Sequence, residues 1–438
     1  MPERSEAHLR RLFDLAIEVD PSERSALLAR ECAGDTALEQ RVLAMVEAAE
    51  EDDFLALPDD GLAPAIDAAE SGGSVRWQPG DDVGPYKLLE PIGEGGMGVV
   101  WTAEQREPVR RRVALKHIKL GMDTEQVIAR FEAERQALAM MDHPNIAKVL
   151  DAGATRAGSP YFVMEYIRGV PLLEYCDSDR LDTSRRLELF VQICHAIQHA
   201  HQKGVIHRDI KPSNVLVTLH DGVPVPKVID FGIAKATDAE LTARTLFTEH
   251  RQVVGTPAYM SPEQAELSGL DIDTRSDIYS LGVLLYKLLT DTTPFTDEEL
   301  RSAGLEGMLR MIREREPHKP STRVSTLGAP AVIAAGRRRT DVKKLGAILR
   351  GDLDWIVLKC LEKDRTRRYE TANGLAADIA RHLADEPVLA GPPSALYTFR
   401  KFVKRNRGRV VAGSLLAVLL VAAVVGTSSG LVWAIREK

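Results

Sequence analysis

The hydrophobic pattern at the start of the chain predicts a small helical module over residues 1–50. Apolar residues recur there every three or four positions, which is the period of one face of an α-helix. Asp20 and Pro21 mark the start of the second of three short helices, and Gly34 marks its end. We interpret this module as a structural or partner-binding appendage. Residues 51–83 contain acidic pairs, prolines and glycines, which favours a flexible linker.

From residue 84 onward, the pattern predicts a β-rich part followed by a helical part. Short apolar stretches rich in β-branched residues, such as 113–115 and 161–164, predict strands. Residues 187–203 carry apolar side chains at helical spacing, and a second, very apolar helix opens at Asp277. Strands thus come first in this order, and helices follow.

An apolar run near the end of the chain predicts a helix that spans a membrane. Residues 410–435 carry no charge, and 13 of these 26 residues are Val, Leu or Ile. About 20 apolar residues suffice to cross a bilayer, and Trp433 lies where an interfacial anchor would lie. Positive residues before a span place that side in the cytoplasm. We therefore interpret residues 385–409 as a basic juxtamembrane segment at the cell (inner) membrane, with these positive residues: Arg400, Lys401, Lys404, Arg405, Arg407 and Arg409.

Composition and residue spacing argue against two other classes of function, nucleic-acid binding and metal binding by cysteine or histidine. The net charge of −7 argues against a general nucleic-acid binder. The four cysteines are far apart and match no metal-binding spacing, which is typical of reduced thiols in a cytosolic compartment. Three histidines of the helix at 187–203 lie close together, namely His195, His199 and His201. No acidic or cysteine partner accompanies them, so we interpret them as structural.

The strongest chemical signal is a polar loop at residues 205–214, between an apolar helix and an apolar strand. It contains a carboxylate at Asp209, an ammonium at Lys211 and an amide at Asn214. These groups suit phosphoryl transfer. The carboxylate orients a hydroxyl and accepts its proton, the ammonium faces the moving phosphate, and the amide oxygen binds Mg²⁺.

A second signal is a glycine-rich turn between two predicted strands. Gly93, Gly95 and Gly98 let backbone amides approach a phosphate without a side-chain collision. Such a motif alone is weak, because dinucleotide-binding folds also contain it. Those folds continue into a helix, whereas the residues after Gly98 are β-rich here. Lys116 ends the next strand, and a buried lysine needs an anionic partner such as a nucleotide phosphate.

Together these motifs resemble those of protein kinases, and a lysine two residues after Asp209 is the Ser/Thr-kinase form. The resemblance covers about residues 84–384, where eight motifs occur in family order. With the apolar run, the chain is similar to bacterial eukaryotic-type (Hanks-type) Ser/Thr protein kinases anchored to a membrane. The resemblance implies the fold class α+β, in the form of a bilobal fold with a β-rich N-lobe and an α-helical C-lobe. It leaves residues 296–352 outside the compact family pattern, and we interpret them as an enlarged loop.

The resemblance also implies roles for residues around the loop. Asp230 of Asp-Phe-Gly would bind the metal with Asn214, and Glu134, favoured over Glu132, would pair with Lys116. Met164 would be the gatekeeper beside a hinge at residues 165–167. The implied ATP-binding residues are Ile92, Gly93, Glu94, Gly95, Gly96, Met97, Gly98, Val99, Val100, Lys116, Glu165 and Ile167.

Residues 233–263 resemble an activation segment, for which the resemblance implies both phosphorylation and structural support. Thr256 would bond Asp209 and Lys211, and Arg208 would pair with a phosphothreonine. We expect autophosphorylation at Thr245 or Thr248. The implied structural supports are Asp277, under the catalytic loop, and an ion pair between Arg368 and Glu263.

The predicted function is therefore transfer of the ATP γ-phosphoryl group to Ser or Thr of protein substrates, in membrane-linked signalling. The expected cofactor is Mg²⁺, with Mn²⁺ as an alternative ion, and a homodimer would allow trans-autophosphorylation. We expect no nucleic-acid partner. Two alternatives remain: a pseudokinase receptor that binds nucleotide as a scaffold, and a small-molecule phosphotransferase. The first would lack Lys116, Asp209, Asn214 or Asp230, and all four are present.

Overall fold

The computed structural model describes residues 28, 77–95, 98–118, 140–155, 160–231, 257–266, 272–392 and 394–436. The chain divides into two units, Met1–Arg76 and Trp77–Lys438. Of the first unit only Leu28 is described, as a buried helical residue. The module expected at residues 1–50 and the linker expected after it thus lie almost entirely outside the described residues.

The small lobe of the second unit is a six-stranded antiparallel sheet with the order β1-β2-β3-β4-β6-β5. Alternate residues of its strands form a separate apolar core that includes Leu88, Trp101 and Leu115. The strands are β1 (Asp82–Val83), β2 (Tyr86–Gly95), β3 (Gly98–Gln105), β4 (Arg111–Ile118), β5 (Val149–Ala154) and β6 (Pro160–Glu165).

The small lobe begins earlier than residue 84. Trp77 stacks on His117 of β4, with ring centroids 4.0 Å apart. Gly80 N–H donates to Leu88 O at 2.9 Å, and Leu88 N–H donates to Asp81 O at 2.9 Å. Residues 77–83 therefore belong to the sheet and not to the linker, because their backbone groups pair with β2.

The second, three-stranded sheet carries the polar loop found in the sequence. It has the order β7-β8-β9, with β7 at Val170–Pro171, β8 at Val215–His220 and β9 at Val223–Val228. Asp221 and Gly222 both have positive φ, 50° and 77°, which suits a two-residue hairpin turn. This hairpin brings the residues before β8 next to the residues after β9.

The large lobe is helical and contains the main core. Helix α2 (Thr183–Gln202) begins at Asp182, whose side chain caps Arg185 N–H. Helix α4 (Thr274–Thr290) is buried almost all round, which explains its apolar sequence. The other helices as far as residue 383 are α1 (Leu172–Ser178), α3 (Pro262–Ala265), α5 (Asp297–Ser302), α6 (Gly304–Glu314), α7 (Pro320–Thr326), α8 (Ala329–Arg337), α9 (Val342–Leu349), α10 (Asp352–Cys360) and α11 (Ala372–Leu383).

The prediction of an enlarged loop at residues 296–352 is wrong, because five helices, α5 to α9, occupy this stretch. Pro320 stands in the first turn of α7, where a proline favours a helix and does not break it. One member of the arginine triplet at 337–339, Arg338, has a structural role. Arg338 is only 1% exposed, and its Nη2 donates to Leu288 O, at the end of α4, at 2.7 Å.

Two helices follow the large lobe: α12 (Ala395–Arg405) and α13 (Arg407–Arg436). Helix α13 contains the apolar run, and its window Val410–Thr427 is long and apolar enough to cross a membrane. From Val411 onward, the large apolar side chains described in this window are exposed. Helix α12 lies within residues 385–409, which the sequence suggested as a basic juxtamembrane segment.

A glycine in α4 permits close contact between two core helices. A Cβ at Gly282 would lie 2.4 Å from the Cβ of Cys360 in α10. Gly346 in α9 is a matched control, because a Cβ there would meet nothing within 4 Å.

We predict opposite effects of alanine at these two positions. Gly282→Ala should lower the free energy of unfolding by about 1–3 kcal/mol, because the core must move apart. Gly346→Ala should raise it by up to about 1 kcal/mol, because alanine favours a helix. Chemical denaturation of both variants measures the difference, and equal effects would show that α4 and α10 do not pack this closely.

Candidate active site

The polar loop places three predicted site residues in direct contact. Lys211 Nζ lies 2.9 Å from Asp209 Oδ2. The Asn214 side-chain amide donates to the Asp209 carbonyl oxygen at 2.9 Å and to Asp209 Oδ2 at 3.1 Å. A short 3₁₀ turn, Pro212–Asn214, makes the last contact possible by folding the chain back. The Asp209 carboxylate is thus held by a cation and an amide from its own loop.

The hairpin brings Asp230 to the same place. Val215 pairs with Val228, and Ile229 N–H donates to Asn214 O at 2.9 Å, so Asp230 follows directly beside Asn214. Asp230 forms an ion pair with Lys116 of β4, which joins the small lobe to the large lobe. The Lys116 side chain is 12% exposed, so its charge is compensated by a partner in a protected setting.

Backbone contacts of the segment before β5 also join the two lobes near this site. Ala147 N–H donates to Val228 O at 2.9 Å, and Val228 N–H donates to Asn145 O at 2.8 Å. The Asn145 side chain donates to Pro226 O at 2.8 Å. The hairpin that positions Asp230 is therefore fixed on both sides.

A buried carboxylate of α4 supports the polar loop from the large lobe. Asp277 is 0% exposed and accepts hydrogen bonds from the backbone N–H groups of His207 and Arg208, both at 2.8 Å. His201 Nε2 lies 2.8 Å from the same carboxylate. Burial opposes ionisation, but the hydrogen bonds and the histidines outweigh it and hold the pKa of Asp277 below its usual range.

His207 forms a contact that sequence reasoning did not assign. Its ring is fully buried, with Nε2 at 3.2 Å from Ile229 O and a centroid 4.6 Å from that of Phe231. Burial lowers the pKa of His207, which favours the neutral form of the ring. The ring therefore ties the polar loop to the Asp230 turn, and the histidine before Arg208 and Asp209 was the available signal.

The end of the predicted activation segment is fixed by a buried ion pair. Arg368 Nη1 and Nη2 donate to the two oxygens of Glu263 at 2.7 and 2.9 Å. Ser276 Oγ also donates to Glu263, at 2.6 Å. Burial opposes ionisation, but Arg368 outweighs it and holds the pKa of Glu263 below its usual range.

The predicted nucleotide-binding residues flank the β2–β3 turn and β6. Ile92, Gly93, Glu94 and Gly95 end β2, and Gly98, Val99 and Val100 begin β3. Val100 pairs with Lys116 in the sheet, which places the lysine next to the turn. At the predicted hinge, Glu165 N–H donates to Lys148 O at 2.9 Å and Ile167 O accepts from Gly169 N–H at 3.1 Å.

Several predicted residues lie outside the described residues: Gly96, Met97, Glu134, Thr245, Thr248 and Thr256. Within the part that is described, no group of three or more His, Cys, Asp or Glu side chains has the geometry of a metal cluster. The three histidines of α2 have other neighbours: His195 contacts Asn373, His199 contacts His143, and His201 contacts Asp277.

The residues at the loop fit a nucleotide with a hard divalent cation. The Asn214 amide nitrogen is committed to Asp209, which leaves its Oδ1 as the ligand atom. Asp230 contributes a carboxylate that is 32% exposed. Carboxylate and amide oxygens are ligands that Mg²⁺ accepts when it also retains waters and phosphate oxygens. The ammonium of Lys116 beside them suits a phosphate.

Comparison with known proteins identifies the class. A model described as the protein kinase domain matches residues 86–382, which is more than half of the chain. The chain belongs to the protein kinase domain family. Members of this family use ATP and a divalent metal ion.

Among its relatives are two bacterial kinases. Serine/threonine-protein kinase Pkn1 of Myxococcus xanthus is 35% identical over 328 residues, which cover 73% of this chain and 41% of Pkn1. Serine/threonine-protein kinase PknB of Mycobacterium tuberculosis is 36% identical over 307 residues, which cover 69% of this chain and 43% of PknB. The chain thus spans about two fifths of the length of these curated relatives.

A solved structure supports the fold. The kinase domain of Mycobacterium tuberculosis PknI, as a double mutant, matches with a TM-score of 0.51 and 21% identity, covering 70% of this chain and 100% of that chain. The expected bilobal protein kinase fold, with a β-rich N-lobe and a helical C-lobe, is confirmed.

We predict that Arg368 contributes much more to the free energy of unfolding than its neighbour Arg367 does. Arg368→Met should lower the free energy of unfolding by about 3–5 kcal/mol, because it leaves the Glu263 carboxylate buried and unpaired. Arg367 is the matched control, since it is 71% exposed and lies 3.7 Å from Glu362. Arg367→Met should cost less than about 1 kcal/mol. Denaturation curves that shift equally for both variants would contradict the role of the buried pair.

Proposed function

We propose that the chain is a serine/threonine protein kinase that transfers the γ-phosphoryl group of ATP to Ser or Thr hydroxyls of proteins. The observation that carries this proposal is the contact set of Asp209 with Lys211 and Asn214, next to the Lys116–Asp230 pair. These side chains combine a proton acceptor, two cations and two oxygen ligands at one place. The relatives named serine/threonine-protein kinases support the same assignment.

In the proposed reaction, Asp209 orients the acceptor hydroxyl and takes its proton. A bond forms between the hydroxyl oxygen and the γ-phosphorus, while the bond from that phosphorus to the β–γ bridging oxygen breaks and ADP leaves. Lys211 lies beside Asp209 and stabilises charge on the transferred group. Lys116 binds nucleotide phosphates, and the glycine turn approaches them through its backbone. Asp230 and Asn214 would hold a divalent ion, which would supply positive charge to neutralise the phosphates.

Activation by autophosphorylation is part of the proposal. In the described residues, the buried Nε of Arg208 has no hydrogen-bond partner, which supports a role in pairing with an anion. The acceptor would be Thr245 or Thr248 of the activation segment. A phosphothreonine offers strong acceptors for an arginine fork and can order a loop in this way. We propose that the transfer occurs in trans within a homodimer.

We also propose that α13 anchors the chain in the cell (inner) membrane, with the kinase domain in the cytoplasm. The uncharged window Val410–Thr427 supports anchoring by its length and composition. The positive residues between 400 and 409 support the orientation. Protein substrates would then reach the site from the cytoplasm in membrane-linked signalling.

We predict that activity depends on Asp209 and not on a nearby exposed aspartate. Asp209→Asn should reduce phosphothreonine formation by about 10²–10⁴-fold, because asparagine accepts no proton, while nucleotide binding remains. Asp221→Asn is the matched control at the tip of the hairpin, where the side chain is 94% exposed. Incubation with ATP, Mg²⁺ and a substrate protein measures both variants. Undiminished phosphorylation by Asp209→Asn would refute the proposed function.

We predict that Thr245 or Thr248 carries the activating phosphate. Replacing both with alanine should lower activity by at least about tenfold, because Arg208 loses a charge-assisted partner. Thr242→Ala is the matched control in the same segment. Mass spectrometry of the wild type after incubation with ATP locates the phosphate. Full activity of an enzyme unmodified at both residues would rule out this mode of activation.

A further inference from the structure

The segment that follows the large lobe is anchored to it by a buried aspartate. Asp378 in α11 is 0% exposed and accepts the backbone N–H groups of Leu389 and Ala390, both at 2.8 Å. Tyr369 Oη also donates to this carboxylate, at 2.9 Å. Residues 388–390 therefore leave α11 in a fixed direction.

A second buried aspartate binds helix α12. Asp352, at the start of α10, is 7% exposed and accepts Tyr397 Oη at 2.8 Å. Lys401 and His382 contact its other oxygen, the histidine Nδ1 at 2.8 Å. Burial alone would raise the pKa of Asp352, but the hydrogen bonds from His382, Lys401 and Tyr397 outweigh it and hold the pKa at about 2. The carboxylate is therefore charged at neutral pH.

Further contacts extend this interface along one face of α12. Tyr397 Oη accepts Val388 N–H at 3.1 Å, and its ring packs edge-on against Trp355 at 5.3 Å between centroids. Lys404 pairs with Asp385 at 2.6 Å, and Arg405 pairs with Glu386 at 2.8 Å. Three of the six positive residues that the sequence assigned to the membrane surface thus form ion pairs: Lys401 with Asp352 of the large lobe, and Lys404 and Arg405 with the segment directly after α11.

The opposite face of α12 is apolar and exposed. Leu396, Phe399 and Phe402 are 76%, 62% and 50% exposed. At about 100° per residue, these three positions lie on the side of the helix away from Tyr397, Lys401 and Lys404. The helix therefore has one face bound to the kinase domain and one face that no described part of the chain covers.

The position of α12 directly before α13 points to what covers this apolar face. Helix α13 starts at Arg407, two residues after α12 ends, so α12 lies at the point where the chain enters the apolar window. Arg400 and Arg407 are exposed beside the apolar face. A helix with aromatic and aliphatic residues on one face and arginines beside them suits the boundary between lipid headgroups and acyl chains.

We propose that α12 is a two-faced adaptor, which inserts Leu396, Phe399 and Phe402 into the bilayer interface while Asp352 binds its other face to the large lobe. This inference rests on the membrane anchoring proposed above. The proposal has a consequence for how the kinase domain is oriented on the membrane. The base of the large lobe, at α10 and α11, is held against the cytoplasmic leaflet, which restricts the directions from which a substrate reaches the site.

The first test measures the depth of α12 in full-length protein reconstituted into vesicles of phosphatidylcholine and phosphatidylglycerol. Three variants, Phe399→Cys, Thr398→Cys and Leu416→Cys, each carry a fluorophore on the new cysteine in a Cys32→Ser background, because Cys176, Cys194 and Cys360 are buried. Thr398 is the matched control, since it is exposed but lies to one side of the apolar face. Lipids with a nitroxide near the headgroup report contact by quenching.

The proposal predicts quenching at 399 that exceeds quenching at 398 several-fold, together with membrane burial at 416. Burial at 416 with equal, weak quenching at 399 and 398 would overturn the adaptor and leave the anchor standing. Absence of burial at 416 would overturn the anchor and the adaptor together. Energy transfer between labels at 399 on two copies, without quenching by lipid, would assign the apolar face to a second copy of the chain and overturn the proposal.

The second test addresses the Asp352 contact by hydrogen exchange in the same vesicles. Asp352→Asn should reduce protection of the α12 amides by about tenfold or more, because charge-assisted hydrogen bonds are lost. Asp385→Asn, which removes only the exposed pair with Lys404, should change protection by less than about twofold. If Asp352→Asn does not fold, Tyr397→Phe replaces it and should reduce protection several-fold. Unchanged protection in the variant that folds would overturn the role of Asp352.

Discussion

The active site depends on a single buried carboxylate, Asp277. A loop that carries Arg208 and Asp209 cannot form regular helix or strand pairs, so its backbone N–H groups need another acceptor. Asp277 supplies that acceptor from inside α4, at 2.8 Å from both amides. Arg208 has φ of 62°, in the left-handed region, and this conformation needs such support. Asp277 thereby fixes the polar loop to a helix that is buried almost all round.

Other charged groups buried in the large lobe work in a similar way. Glu263 with Arg368, Arg338 with the end of α4, and Asp352 with α12 each join segments that lie far apart in the chain. A buried charge is costly without its partner, so each pair fixes one arrangement of the segments that it joins. Apolar packing holds the helices together, whereas these polar contacts determine how loops and chain ends attach to them.

The sequence predicted the parts of the site that are local. Asp209, Lys211 and Asn214 lie within six residues, and the short turn that joins them follows from Pro212 and the strand after it. The fold class followed from the resemblance of the motifs to those of protein kinases, and hydrophobic period indicated several of the strands and helices. Lys116 was expected to pair with Glu134, which lies outside the described residues, whereas the contact found is with Asp230. That contact joins residues 114 positions apart, and no local pattern encodes it.

The errors had physical causes as well. The departure from the compact family pattern suggested a loop at residues 296–352, but even the prolines there are compatible with helices, because Pro320 and Pro330 stand within the first two positions of α7 and α8. Three positive residues near α12 also have acidic partners that the sequence did not indicate, Asp352, Asp385 and Glu386, because these are distant or precede them without any periodic signal. Partners of a charged side chain are a property of the folded chain, and a single sequence reveals them poorly.

The central claim is that nucleotide, divalent ion and acceptor hydroxyl meet at one place between the lobes. A crystal structure of the protein with Mn²⁺ and a non-hydrolysable ATP analogue tests it most directly, because Mn²⁺ is located by its anomalous signal. The account predicts Mn²⁺ bonded to Asp230 and Asn214 Oδ1, phosphates on Lys116, and a γ-phosphate facing Asp209. A nucleotide bound elsewhere, or a metal that contacts neither Asp230 nor Asn214, would contradict it.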